Sequence, residues 1–423
     1  DIKGRWDCLS MLGVAREVAA IQQVQLGAAT RLRLPPDGYP TAGASAQESI
    51  AIQIAAADLC PRYSATVIRG VTIGPSPAWL QERLLAAGMR PINNIVDITN
   101  YVMLEWNQPL HAFDYDRIRG HQIVVRRAGD WTRFTTLDGQ QRELTPDVLM
   151  ITDAQGPVAV AGVMGGLDSE VTGATTNILL ESANFNPTSI RRTGRALRLA
   201  SEAQVRFEKG LPPEQTVPAV QRATRLIQEL AGGVVAPGVA DCYPAPRTRQ
   251  PICLPHSELK RLMGMDYTPQ QVGQVLDALG CEWHAEDGAY VVMPPFQRPD
   301  LTIPADLVEE VARLVGYEGI PATLLRGAPP AWQSNPAWDC QVAARDILAA
   351  AGFWEVISYP LTNQAALARL APADEAVAEP AAAPADSLAQ EIAARLLDVT
   401  TAPVQLANPL TPEMAVLRTS AVP

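Results

Sequence analysis

The chain is 423 residues long and 47% hydrophobic, enough for roughly two to four domains with packed cores. A formal charge of −11 excludes a wholesale nucleic-acid-binding coat while leaving room for a local basic patch. Six scattered cysteines (Cys8, Cys60, Cys242, Cys253, Cys281, Cys340) without a Cys-x-x-Cys pair exclude a zinc site and a dense disulfide framework, so a reducing cytoplasm is the default location. No signal peptide and no apolar run long enough to span a bilayer is present.

In chain order, residues 7–22 have the apolar spacing of an amphipathic helix, followed by a Pro/Gly/Ala linker, LPPDGYPTAGASAQ. From about residue 50 to 242, strand-like and helix-like pieces alternate between Gly and Pro turns. HQIVVRRA and DVLMITDA are predicted strands, and LDGQQRELT a hairpin around Asp138-Gly139. PVAVAGVMGG is small and apolar, with glycines where backbone must come close to something. NILLESANF is predicted as a strand that carries one acid, Glu181, in an apolar frame, and residues 214–231 as a helix closed by Gly232-Gly233. After a linker from Cys242 to about Gln250, SELKRLMG and TPQQVGQVLDALG are predicted helices with Ser or Thr caps and a closing Gly. The strand YVVMPP and the helix PADLVEEVARLVGY complete a small winged-helix-like pattern. Beyond residue 335 come a helix, DCQVAARDILAAAGF, a strand, EVISYPLT, and an Ala/Pro/Glu-rich stretch over 371–395 expected to be a flexible insertion. The chain begins with Asp and stops at LRTSAVP, and both ends are expected to be cut from something longer.

Three groups of residues invite chemistry. In TNYVMLEWNQPLHAFDYD, Tyr101 to Leu104 read as buried, and Pro109 stops any helix just before His111. A histidine on such a turn serves either a site or a structural hydrogen bond, and the stretch alone does not decide between them. Asp306, Glu309 and Glu310 share one helical face, with Asp300 just before it. Four converging carboxylates would call for a hard cation such as magnesium, although acids also suit the first turn of a helix for its dipole. Arg191, Arg192, Arg195 and Arg198 form a basic cluster, either a solvated helix face or a set of phosphate contacts.

RPINNIVDITNYVMLEWNQPLHAFDYD, PVAVAGVMGG, NILLESANF, RFEKG, RPDLTIPADLVEEVARLVGYEGIP and LANPLTPEMAVLRTS, in this order, resemble the beta chain of bacterial phenylalanyl-tRNA synthetase over nearly the whole chain. The resemblance implies an α+β multidomain protein. It implies a remnant of the N-terminal domain with a linker (1–45), a mixed α/β tRNA editing domain (46–242), a winged-helix-like domain with an acidic metal site (250–325) and the start of a class II synthetase-like catalytic module without an active site (335–423). No Gly-x-Gly-x-x-Arg or Phe-Arg-x-Glu pattern is found, so amino-acid activation and ATP binding are expected on an alpha chain, within a heterotetramer of two alpha and two beta chains acting on tRNA(Phe) in the cytoplasm. This chain is expected to hydrolyse mischarged Tyr-tRNA(Phe), because an apolar synthetic pocket rejects an added hydroxyl weakly.

By resemblance Glu181 reads the tyrosine hydroxyl, and Ala161 and Gly162 leave room for the ring. Thr99, Asn100 and His111 hold the terminal adenosine and the ester, with His111 positioning the water or the ribose and general-base action as the weaker option. Ser201 and Ala203 depart from the Thr-Asp-Ala-Ser run that usually lines the pocket. Asp300, Asp306, Glu309 and Glu310 match the family's structural magnesium site. The competing reading is a non-catalytic RNA-binding or scaffold protein that reuses the fold.

Overall fold

The computed structural model describes residues 4–27, 34, 38–324, 327–331, 333–369 and 402–419. The chain divides into two compact units, Asp1–Thr323 and Leu324–Pro423. The stretch 371–395 expected to be an insertion lies outside the described residues.

The first unit opens with helix α1 (Met11–Leu26), and Ser10 sets its start by accepting a hydrogen bond from the Gly13 amide at 3.0 Å. The helix therefore begins later than the apolar spacing predicts, and Trp6–Leu9 is a separate 3₁₀ turn. Next come α2 (Ala46–Ser49), β1 (Ala51–Ile54), β2 (Arg62–Arg69), α3 (Ala78–Ala86), α4 (Asn94–Trp106), β3 (His111–Asp114) and β4 (Gln122–Arg127). The predicted hairpin is β5 (Arg133–Thr135) and β6 (Gln141–Glu143), with Gly139 at φ 73° in the turn. β7 (Leu149–Thr152), β8 (Pro157–Val160), β9 (Met164–Gly165), β10 (Asn177–Asn184), α5 (Pro187–Leu197), α6 (Glu202–Phe207), α7 (Thr216–Ala231), β11 (Val234–Val235) and β12 (Ala240–Cys242) follow.

One sheet, β11-β2-β10-β3 with β12 also on β2, lies between two apolar cores. Alternation along β10 assigns them: Ile178 and Leu180 join α3, α4 and α7 in one, while Leu179 and Ala183 face the second sheet, β1-β4-β7-β8-β9, in the other. A strand covered on both faces reads as a nearly continuous apolar run, which is why NILLESAN shows no polar alternation.

The last part of this unit comprises β13 (Ile252–Pro255), α8 (His256–Met263), α9 (Pro269–Ala278), β14 (Glu282–Glu286), β15 (Ala289–Met293) and α10 (Pro304–Val315), with the antiparallel order β13-β15-β14. Thr268 and Gln271 form a capping box at α9. The expected Ser cap at α8 does not form: the helix starts at His256, directly after Pro255, and has no side-chain cap.

The second unit, by itself, holds helix α11 (Pro336–Ala350) and a strand pair, Leu361–Thr362 with Val416–Leu417. The strand predicted over EVISYPLT survives only at its end. Val356, Ile357 and Tyr359 are exposed and find no neighbouring strand among the described residues.

A chain of ion pairs ties α1 to α10. Glu17 bonds Arg5 at 2.5 Å and Arg313 at 2.6 Å, Arg313 bonds Glu310 at 2.7 Å, and Arg298 bridges Glu310 at 2.8 Å and Asp300 at 2.6 Å. Burial alone would raise the Glu310 pKa, but the two guanidinium groups bring it down to about 2. Its stabilising contribution is therefore present above the ordinary carboxylate range and is lost as pH falls toward 2. Glu310→Gln leaves Arg298 short of a buried partner and is expected to cost about 3–5 kcal/mol in urea unfolding at neutral pH, with the difference shrinking on acidification.

Candidate active site

The site is built on cross-strand register. β10 pairs with β2 and β3 so that Ala65, Glu181 and His111 stand in one row on the face toward the second sheet. Glu181 is the only charged residue of its strand and is 6% exposed. Tyr63, two residues along β2 from Ala65 and so on the same face, donates its hydroxyl proton to Glu181 Oε2 at 2.7 Å. No described residue bonds to Oε1. Burial pushes the Glu181 pKa up to about 7, against the opposing effect of the Tyr63 hydrogen bond.

His111 opens β3. The helix before it ends where Asn107 takes a left-handed conformation, φ 64°. Gln108, fully buried, then donates to the Ala183 carbonyl at 2.8 Å and fixes the approach to the strand. Side-chain anchoring and strand pairing therefore orient the histidine, in addition to the helix stop at Pro109. The imidazole sits edge-on to Phe113 at 4.4 Å and leans on Gly165, where a Cβ would fall 2.7 Å from Cε1. Burial lowers the ring's pKa to about 4, so it is neutral at pH 7. Nε2 is buried and has no hydrogen-bond partner among the described residues.

A cavity of about 70 Å³ opens between them, lined by Leu110, His111, Gly162, Glu181, Ala203 and Phe207 among others. That volume suits roughly two waters, and is about half of what a benzene-sized guest takes in an engineered cavity. Seating an aromatic ring therefore requires the cavity to widen.

The predicted residues divide into two groups. Glu181, His111, Gly162 and Ala203 come together at the cavity, while Ala161 is buried and does not line it. Gly162 has φ +67°, and a Cβ there would meet Ile190, Phe185 and Phe207 within about 3.1 Å, so its smallness serves core packing as well as access. Ser201 caps α6 and donates to the Val163 carbonyl at 2.9 Å, a structural use of its hydroxyl. Thr99 and Asn100 lie on α4, whose apolar residues pack on the opposite face of the sheet. Neither lines the cavity, and the Thr99 hydroxyl bonds the Val96 carbonyl of its own helix. Sequence reasoning missed Tyr63 and Phe207, and it marked Gly165 only as one of the PVAVAGVMGG glycines where backbone comes close to something. Alternation along RYSATVIR would have put Tyr63 on the inner face, but no local signal paired it with Glu181.

Three of the four acids have partners within the protein. Arg298 and Arg313 already neutralise Asp300 and Glu310, and Asp306 accepts the Thr302 and Ile303 amides at 2.7 and 2.9 Å as the cap of α10. Among the described residues no group of three or more His, Cys, Asp or Glu is arranged to hold a metal, so these residues, as they stand, do not fit a magnesium ion. The melting temperature of the chain on its own is expected to be the same in magnesium as in EDTA, with Asp306→Asn lowering stability by about 1 kcal/mol in both through the lost cap. Metal-dependent melting would contradict this.

A second expectation follows from Glu181. A folded pKa raised above the unfolded one means that stability falls as pH rises from the ordinary carboxylate range to about 7 and levels off above it. Relative to Glu181→Gln, the wild type is expected to lose about 3 kcal/mol between pH 4 and pH 8 in denaturant unfolding.

Comparison with known proteins gives consistent matches along the chain. Residues 59–232 match the B3/4 domain, 252–317 the tRNA synthetase B5 domain, and 320–423 the phenylalanyl tRNA synthetase beta chain CLM domain. The phenylalanine–tRNA ligase beta subunit of Moorella thermoacetica is 52% identical over 368 residues, 86% of this chain and 45% of that one. The Anaeromyxobacter dehalogenans subunit is 41% identical over 420 residues, 99% of this chain and 49% of that one. The chain thus spans about half the length of these relatives. A solved N-terminal fragment of the Pyrococcus horikoshii phenylalanyl-tRNA synthetase beta-subunit aligns at 14% identity and a TM-score of 0.38, over 75% of this chain and 85% of that chain. Among the described residues no helix is long and apolar enough to cross a membrane.

Proposed function

This chain belongs to the phenylalanyl-tRNA synthetase beta-chain family, and from that premise we propose that the cavity between Glu181 and His111 hydrolyses the tyrosyl ester of mischarged tRNA(Phe). The observation that carries the reading is a buried carboxylate with one oxygen unclaimed, at the edge of a small apolar cavity. A tyrosyl ring entering there donates its phenol to Oε1. A phenylalanyl ring leaves the carboxylate without that bond, and a hydrogen bond to a charged group is worth about 1.5–3 kcal/mol. His111, neutral and with Nε2 open, holds the attacking water against the ester, and no protein nucleophile is needed.

The RNA is held through phosphates. Arg191, Arg192, Arg195 and Arg198 are exposed on or just after α5 and make no ion pair among the described residues, and Ile190 of the same helix packs at Gly162. In the second unit Trp338, Ile347, Phe353 and Trp354 are exposed, which suits a covering alpha chain that binds ATP and activates phenylalanine within a two-alpha, two-beta assembly. Magnesium at Asp300, Asp306, Glu309 and Glu310 would require Arg298 and Arg313 to release their acids.

The test is deacylation of Tyr-tRNA(Phe) measured beside the melting temperature on the same preparations. Glu181→Ala is expected to lose about 2–3 kcal/mol of preference for the tyrosyl over the phenylalanyl ester. His111→Ala is expected to slow hydrolysis on the order of 10²–10⁴-fold with folding nearly intact. Normal hydrolysis in both variants would place the chemistry on other residues, and a wild type that leaves Tyr-tRNA(Phe) intact would return the chain to an RNA-binding scaffold.

A further inference from the structure

We infer that Tyr63 is a positioning residue for substrate discrimination: its hydroxyl fixes one oxygen of Glu181, so that the other alone is presented to the cavity to receive a phenol. This rests on the editing reading above and adds a residue to it.

The geometry is a diagonal across two strands. Tyr63 is opposite Ala183 and Glu181 is opposite Ala65, so the two large side chains meet where the two alanines leave volume. Both alanines are essentially inaccessible, as is Tyr63, and the bond between the phenol and Oε2 is 2.7 Å. A carboxylate turns easily about its terminal torsion, which is broad and two-fold. Among the described residues Tyr63 is the only hydrogen-bond donor to Glu181, so it alone sets which oxygen faces the cavity. The protein's own tyrosine thus takes one oxygen, and a substrate tyrosine would take the other.

The same bond bears on ionisation. A donor to the charged form favours it, and here it opposes burial. Tyr63 itself is held well above the usual tyrosine pKa by burial and by Glu181, so it remains a donor at any working pH. The titratable neighbours are few. Cys60 and Tyr63 act from the β2 side, His111 stands opposite on β3, and Cys242 of β12 acts on Cys60. The hairpin β8–β9 and helix α6 present Gly162, Val163, Ala203 and Phe207 to the cavity, all uncharged. Removing the phenol oxygen leaves burial unopposed, and Glu181 then carries a proton through neutral pH. A neutral acid is a poorer acceptor for a phenol than a carboxylate.

The experiment uses the full-length chain assembled with its alpha partner. Rates of deacylation of Tyr-tRNA(Phe) and Phe-tRNA(Phe) are measured against pH for the wild type, Tyr63→Phe, and a protein with fluorotyrosine at position 63, whose more acidic hydroxyl is the stronger donor. The acid limb of the tyrosyl profile is expected to move up by about one pH unit in Tyr63→Phe, a tenfold loss of preference near neutrality that recovers in alkali, and to move down with fluorotyrosine. An unchanged profile overturns the inference, and so does an equal loss at every pH, which is what a packing role gives. Infrared difference spectra against Glu181→Gln report the protonated carboxyl without any ester, so they read the Tyr63 effect even if hydrolysis fails. If the wild type shows no tyrosyl preference, or Glu181→Ala keeps it, the editing reading falls. If both hold and the Tyr63→Phe limb stays in place, only the role of Tyr63 falls.

Discussion

Holding one carboxylate in a dry place is the constraint around which the central sheet is organised. Unpaired, such a group would cost several kcal/mol or would simply take up a proton. Here it keeps a single donor, reached from a neighbouring strand through the gap left by Ala65 and Ala183. That compromise leaves the acid poised to titrate near neutrality, neither fully stabilised as an anion nor abandoned to protonation. The remaining features of the pocket follow from it. The second core shields the site from bulk water, the glycine turns of the β8–β9 hairpin let backbone close over the imidazole, and α6 supplies small and aromatic side chains rather than charges.

A different arrangement holds the other end of the unit together. Between α1 and α10 acids and arginines alternate in one chain from Arg5 through Glu17, Arg313, Glu310 and Arg298 to Asp300, so each of these six charges has a partner of opposite sign. Arginine suits this because its planar fork satisfies two carboxylates at once, as Arg298 does with Asp300 and Glu310. The sequence shows acids at i, i+3 and i+4 with Arg313 three residues beyond Glu310 on the same face, but gives no hint that Arg298, from outside the helix, lies between Asp300 and Glu310. Spacing along one helix reports the shared face and the Glu310–Arg313 pair, whereas the Arg298 bridge is a matter of tertiary contact.

Legibility in the sequence followed the range of the interaction. Elements set by local chemistry were readable: the Asp138-Gly139 hairpin, the Gly232-Gly233 stop after α7, and the β10 run. The acid in that run and the histidine after QPL were readable as a pair only through family resemblance, since their meeting depends on a register between strands some seventy residues apart. Thr99 and Asn100, matched by the same route, stand apart from that cavity. Their proximity to His111 in sequence passes through the end of α4, and the chain crosses from one face of the sheet to its edge in between. Tyr63 was invisible because nothing in RYSATVIR distinguishes a tyrosine that fills a core from one that also serves an acid.

Glu181 lies on a strand hydrogen-bonded on both sides and covered on both faces. Backbone in such a position opens only with global unfolding, so its amides belong to the slowest-exchanging class, whereas short hairpins and loop ends open far more often. The Glu181 backbone is thus fixed on the time scale of a binding event. Any widening needed to admit a ring falls to the pocket's outer wall, where Leu110 precedes a strand and Met164 begins the two-residue β9. On the proposed reading, recognition falls to a strand paired on both sides and admission to the shorter elements at the rim, so substitutions at the rim would alter the speed of entry without disturbing what is read inside.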